Sequence, residues 1–180
     1  LLRATRIQHS SDTNNWWVHS QAGYICFFLL LILILHSQKK GKSKMIAVIA
    51  DDSADPGFIA SDLLSQAEHG IDSQVILIST DEDLIRRVII EIKVLSEALP
   101  RKHIIEKSLL NSRFFLVENL EVAVELSNAY APEHLIIATE DYDTIAEKIV
   151  NAGSVFLGNY TPESAGDYAS GTNHTLPTYG

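Results

Sequence analysis

From Met45 onward the apolar positions fall into short runs, separated by longer stretches with helical spacing. Met45 to Ala50 is an apolar, β-rich run and predicts a strand. Asp55-Pro56 then offers an N-cap followed by proline at the first helical position. The helix is expected to reach about His69, where Gly70 supplies the stop. Val75 to Ile78 predicts a second strand. Thr80 and Asp83 form a capping-box-like start for a helix through about Ala98. Leu84, Val88, Ile92 and Leu95 share one face of it. Pro100-Arg101-Lys102 opens a charged linker in which His103 is expected to be solvated. Phe114 to Val117 predicts a third strand, and Leu120 to Tyr130 a helix whose Tyr130 belongs to the core. Leu135 to Ala138 predicts a fourth strand, Asp143 to Ala152 a helix stopped by Gly153, and Val155 to Leu157 a fifth strand.

Strands that are apolar on both faces and alternate with helices imply a mainly parallel sheet covered on both sides. The fold class expected is α/β, an incomplete doubly wound sheet with helices on both faces. Ligands in such sheets bind beyond the carboxyl ends of the strands. Three segments are expected to converge there: the loop after Ala50 with its helix, the Ala131-Pro132-Glu133-His134 loop, and the tail after Leu157. The sequence contains neither a GxGxxG loop nor a Walker A loop.

Composition narrows the functional classes. Of 180 residues, 46% are hydrophobic and 21% charged, as in ordinary globular proteins. The net charge of −9 provides no basic field for a phosphate backbone, so nucleic acid is not an expected partner. Cys26 is the only cysteine, which rules out an internal disulfide and a Cys-rich zinc site.

Residues Leu1 to Lys44 differ in kind from the rest. They begin without Met and contain an apolar run, Ala22 to Leu35, followed by Lys39, Lys40, Lys42 and Lys44. A spanning helix needs roughly 20 apolar residues, and this run is shorter. A signal peptide would carry its positive charges before the run. The segment reads either as a membrane-active leader or as an artefact of the reading frame. It is expected to stay outside the α/β layer, so that deleting residues 1–44 leaves the fold intact and improves solubility.

Three segments could carry chemistry. Gln66 and His69, three apart at the end of the first helix, share a face. An amide oxygen and an imidazole can both ligate zinc, although a capping histidine beside a solvated glutamine has the same spacing. Glu133-His134 follows Pro132 in a short loop, where a carboxylate and an imidazole suit general-base and proton-shuttle roles. A polar surface loop would look the same. The tail from Thr161 to His174 is long, glycine-punctuated and polar. Asp167 there could be an oxygen ligand and His174 could bind substrate or metal, or the tail could be a plain surface loop. Ser164 lacks a nucleophile-elbow setting.

Taken together, these segments point to a family. Leu63-Leu64-Ser65-Gln66-Ala67-Glu68-His69-Gly70, Tyr130-Ala131-Pro132-Glu133-His134-Leu135, Asn151-Ala152-Gly153-Ser154-Val155-Phe156-Leu157-Gly158 and Pro162 to His174 resemble histidinol dehydrogenase, in that family's order and spacing. The resemblance covers roughly Ile46 to the last residue and none of Leu1 to Lys44. It implies oxidation of L-histidinol to L-histidine through the aldehyde, with two NAD, and a homodimer in the full-length family. Gln66, His69 and Asp167 match the family's zinc ligands, and Glu133 and His134 its acid/base pair. By the same match His134 removes the alcohol proton and Glu133 activates the water that attacks the aldehyde. Gln66, His69, His134, Asp167 and His174 match substrate-side positions, with zinc as a template for the substrate's nitrogens.

The departures imply limits. The family's earlier half is absent, and Lys44 stands where a substrate-contacting serine is expected. The C-terminal helical segment, which supplies a fourth zinc ligand across the homodimer, is absent too. The NAD-contacting residues have no counterparts here. The expectation is therefore a dehydrogenase whose chain is incomplete, or a truncated product that binds zinc or substrate weakly without turnover. A membrane-anchored binding module is a more distant reading, resting on Ala22 to Leu35 alone. The polypeptide as given is expected to show no measurable activity, because nothing in it positions the nicotinamide. By family the compartment is cytoplasmic, or a plastid for a plant source.

Overall fold

In the computed structural model the backbone is described at residues 2–5, 18–20 and 45–169. Side chains are described from residue 45 to residue 166, together with those of Ala4 and Ala169. The strands are β1 (Leu2–Thr5), β2 (Val18–Ser20), β3 (Met45–Ala50), β4 (Gln74–Ser79), β5 (Arg113–Leu116), β6 (His134–Ala138) and β7 (Ser154–Leu157). The helices are α1 (Pro56–Ala67), α2 (Glu82–Ala98), α3 (Lys102–Asn111), α4 (Leu120–Tyr130), α5 (Tyr142–Ala146) and α6 (Glu163–Tyr168).

One seven-stranded sheet runs in the order β2-β1-β5-β4-β3-β6-β7. Its five strands from β5 to β7 are parallel, as expected for a doubly wound layer. Every residue of β3 and β4 is buried, because helices cover both faces. On one face Ile46, Val48, Val75 and Leu77 pack against Leu63, Leu84, Val88 and Ile105 of α1, α2 and α3. On the other, Ala47, Ile49, Ile76 and Ile78 pack against Ala123, Leu126 and Tyr130 of α4 and Ile145 of α5. Local signals set most boundaries. Asp55 caps α1 by accepting from the N–H groups of Gly57 and Phe58 at 2.8 and 3.1 Å. Asp81, one residue beyond the expected Thr80, caps α2.

Three expectations need correction. The charged linker after Pro100 is helix α3, because Ile105, Ser108 and Leu109 form a buried stripe at helical spacing. His103 does lie on its exposed side. The helix expected from Asp143 to Ala152 is the single turn-and-a-half of α5, followed by a short turn and irregular chain up to Gly153. The N-terminal segment does not stay wholly outside the layer. Strand β1 pairs antiparallel with β5, Ala4 opposite Phe115, and Ala4 packs on the second core cluster. The physical reason is the bare edge of β5, whose unpaired backbone groups accept another strand. The apolar run Ala22 to Leu35 lies outside the described residues. Among the described residues no helix is long and apolar enough to cross a membrane.

Buried hydroxyls lock α3 to the start of β4. Ser112 Oγ accepts the Val75 N–H at 3.1 Å and donates to the Ser108 carbonyl at 3.0 Å. Ser108 Oγ donates to the Ser73 carbonyl at 3.0 Å. Beside them the Tyr130 hydroxyl donates to Gln74 Oε1 at 3.1 Å, which satisfies a phenol buried as the sequence led one to expect.

Candidate functional site

The strand register decides which sequence segments can meet. In the parallel β3–β6 pair, Ile46 lies opposite His134 and Ala50 opposite Ala138. The Ala131–His134 loop therefore stands at the amino end of the sheet, whereas the loop after Ala50 stands at the carboxyl end. The expected convergence beyond the carboxyl ends is thus corrected: β6 enters the sheet at His134, so that loop lies at the other edge. Helix α1 begins at the carboxyl edge and returns to the amino edge, where Gln66 and His69 precede β4. The tail makes the same journey. Tyr160 rests edge-on against Phe58 with ring centroids 5.7 Å apart, near the start of α1. Further on, the Glu163 N–H donates to Asp62 Oδ1 at 3.1 Å.

Glu163 is the centre of what the tail brings in. Its carboxylate Oε1 lies 3.0 Å from His134 Nδ1, with the Glu163 side chain 2% exposed and that of His134 16% exposed. Ser65 Oγ donates to Glu163 Oε2 at 3.4 Å. Burial alone would raise the Glu163 pKa. The hydrogen bond and charge of His134, the charge of His69 and the Ser65 hydroxyl outweigh it and hold the carboxyl below its usual range. The His134 ring is braced edge-on by Phe156 at 6.0 Å. Glu163 was not singled out in the sequence. The available signal was Pro162-Glu163, a start for a short helix in a segment that otherwise reads as loop.

Backbone geometry fixes the loop that carries Glu133 and His134. Ala131, the C-cap of α4, is left-handed at φ 54°, a conformation that costs a residue with a Cβ about 1 kcal/mol. After it, Gly153 N–H donates to the Pro132 carbonyl at 3.0 Å, and Ser154 N–H donates to the Glu133 carbonyl at 2.9 Å. Glu133 is half-buried.

Gln66 is buried, 1% exposed, and its Nε2 has no hydrogen-bond partner among the described residues. Rotating the amide by a half-turn would place Oε1 at that position, where a cation would satisfy it. His69 is exposed in the turn that follows α1. Among the described residues no three His, Cys, Asp or Glu side chains cluster as a metal site. That set omits the Gln66 amide, and the side chain of Asp167, which lies on α6, is not described. His174 lies outside the described residues. The structure thus brings His134, Ser65 and the charge of His69 around Glu163.

Asp62 shows the opposite behaviour to Glu163. Burial, reinforced by the Glu163 charge and only partly offset by the Glu163 N–H, raises its carboxyl pKa to about 6 from 3.8. A carboxyl that holds its proton more tightly when folded loses stability as pH rises from its unfolded value through about 6. Asp62→Asn keeps the acceptor for the Glu163 N–H without the buried charge. It is expected to stabilise the fold at pH 7 by on the order of 1 kcal/mol, after discounting for partial exposure, and to do nothing at pH 4. Urea midpoints at the two pH values check this, and equal shifts at both would refute it.

Comparison with known proteins agrees with the motifs. The family model described as histidinol dehydrogenase matches residues 40–180. The Bacteroides fragilis histidinol dehydrogenase is 62% identical over 135 residues, covering 75% of this chain and 32% of the relative. The Haemophilus influenzae histidinol dehydrogenase is 58% identical over the same coverage of 75% and 32%. The crystal structure of histidinol dehydrogenase from Elizabethkingia anophelis superposes with a TM-score of 0.75 at 53% identity, over 77% of this chain and 32% of that one. The chain spans about a third of the length of the curated relatives it matches. With four motifs in order, a matching family model and a shared fold at this level of identity, the chain belongs to the histidinol dehydrogenase family, a family of oxidoreductases.

Proposed function

We propose that this chain carries the metal-side and acid/base part of a site that oxidises L-histidinol to L-histidine through the aldehyde. The observation that carries the reading is the His134–Glu163 pair, held at the same sheet edge as the Gln66–His69 turn, in a chain 62% identical to a histidinol dehydrogenase. Gln66, His69 and Asp167 would hold a zinc ion, which would supply a fixed anchor for the substrate's amino and imidazole nitrogens. NAD would supply the electron acceptor for each of the two oxidations, with its binding residues outside this segment. His134 takes the proton from the alcohol oxygen, and the half-buried Glu133 takes the proton from the water that adds to the aldehyde carbon. His174 contacts the substrate. The working assembly is a homodimer in the cytoplasm, or in a plastid for a plant source.

Equilibrium dialysis of the chain against zinc, followed by calorimetric titration with L-histidinol, tests the reading. Zinc is expected to be retained, and histidinol to bind only to the zinc-loaded chain. Gln66→Ala and His69→Ala should each weaken zinc retention by about tenfold or more, while Glu133→Ala should leave it unchanged. Zinc uptake indifferent to both ligand substitutions would overturn the assignment.

A further inference from the structure

A histidine that removes a proton from a substrate must present an unprotonated ring nitrogen to it. The two nitrogens are not equivalent, and the partner of one decides which carries the proton. In this chain Nδ1 of His134 lies at ion-pair distance from Glu163 Oε1, 3.0 Å, and the Glu163 side chain is 2% exposed. Water therefore has little access to compete for that nitrogen. Ser65 Oγ engages the other carboxylate oxygen, and the Glu163 N–H is tied to Asp62 of α1. Phe156 stands edge-on to the imidazole at 6.0 Å, so ring orientation is limited from a second side. A buried carboxylate has acceptors only, so a neutral ring beside it gains a hydrogen bond when the proton sits on Nδ1 and loses one when it sits on Nε2.

We propose that Glu163 is the positioning residue of His134: its carboxylate holds the ring proton on Nδ1 and so leaves Nε2 as the basic nitrogen. The proposal deepens the function argued above, in which His134 is the base for the alcohol proton. A glutamate on the tail, 98 residues from Ser65 in sequence, thereby sets the protonation pattern of a residue on β6. The same contact explains why the tail must run back along α1: only at the amino edge of the sheet can α6 reach the start of β6.

The test is long-range proton–nitrogen correlation spectroscopy on the 180-residue chain, labelled at histidine, metal-free and at a pH where the ring is neutral. The His134 resonances are expected to show a protonated Nδ1 and a bare Nε2. Glu163→Ala should lose that signature and give the Nε2-protonated or mixed pattern. Glu163→Asp should recover it in part, and Ser65→Ala should leave it in place. Cross-peaks between the His134 and Phe156 rings report in each variant whether the ring is still seated. An Nε2-protonated ring in the unsubstituted chain would overturn the proposal at once. So would an Nδ1-protonated ring that persists, still seated on Phe156, in Glu163→Ala. Failure of the zinc and histidinol titrations with the signature intact would instead sink the functional reading and leave the positioning standing.

Discussion

A chimera in which the matching segment of this chain replaces the corresponding 135 residues of the Bacteroides fragilis relative is expected to lose turnover by about 10²–10⁴-fold on His134→Ala. The replaced imidazole is the group to which the alcohol proton would go, and general-base contributions are of that size. The two halves of the reaction separate the roles. His134→Ala should suppress the first oxidation, so that NADH formation from L-histidinol falls from the first turnover. Glu133→Ala should spare the first step more than the second, because the water that adds to the aldehyde would have lost its proposed base. That variant is expected to accumulate aldehyde and to yield closer to one NADH per histidinol than two. Stopped-flow NADH absorbance with an aldehyde trap distinguishes the outcomes. Near-normal turnover in His134→Ala would remove this residue from the chemistry and the proposed function with it.

Gly153→Ala is expected to destabilise the fold by about 3–5 kcal/mol, from roughly 1–3 for overpacking and about 1 for each of two strained backbone hydrogen bonds. A Cβ at Gly153 would stand 2.5 Å from the carbonyl oxygen of Glu133 and within 3.5 Å of its Cα. Those are backbone atoms, so no flexible side chain can swing aside. Relief requires the Pro132–Glu133 segment to move, which breaks the bonds from Gly153 N–H and Ser154 N–H that seat it. The same motion would displace His134 from Glu163. The variant should therefore combine a lowered urea midpoint with loss of the Nδ1-protonated signature of His134. Gly57→Ala is the control, since its Cβ would meet only the Asp55 carboxylate at 3.1 Å. A midpoint for Gly153→Ala within experimental error of the Gly57→Ala value would refute the account.

Much of the fold was legible along the chain because its causes are local. Caps such as Asp55 and the apolar runs of β3 to β7 act over a few residues, and they predicted a mainly parallel layer. Helix α3 was legible too, through the spacing of Ile105, Ser108 and Leu109, but the charges around it read as linker. The motifs around Gln66, His134 and Gly153 were equally local, and they carried the family. The sequence by itself thus determined the fold class and the family.

What only the tertiary structure decided is where those segments meet. Strand order places β6 beside β3, and their parallel pairing sets His134 at the amino edge of the sheet, opposite to the edge expected from doubly wound folds in general. The edge of β5 recruited β1, a pairing that no local pattern in Leu2 to Thr5 announces. Glu163 gained its role from a partner on α1 that is 101 residues away and from a histidine on β6. A carboxylate on a polar tail has the same local pattern whether it is solvated or buried against an imidazole. The difference arises only when the tail packs along α1, because burial and the neighbouring charges, rather than sequence spacing, set the energy of its ionised form.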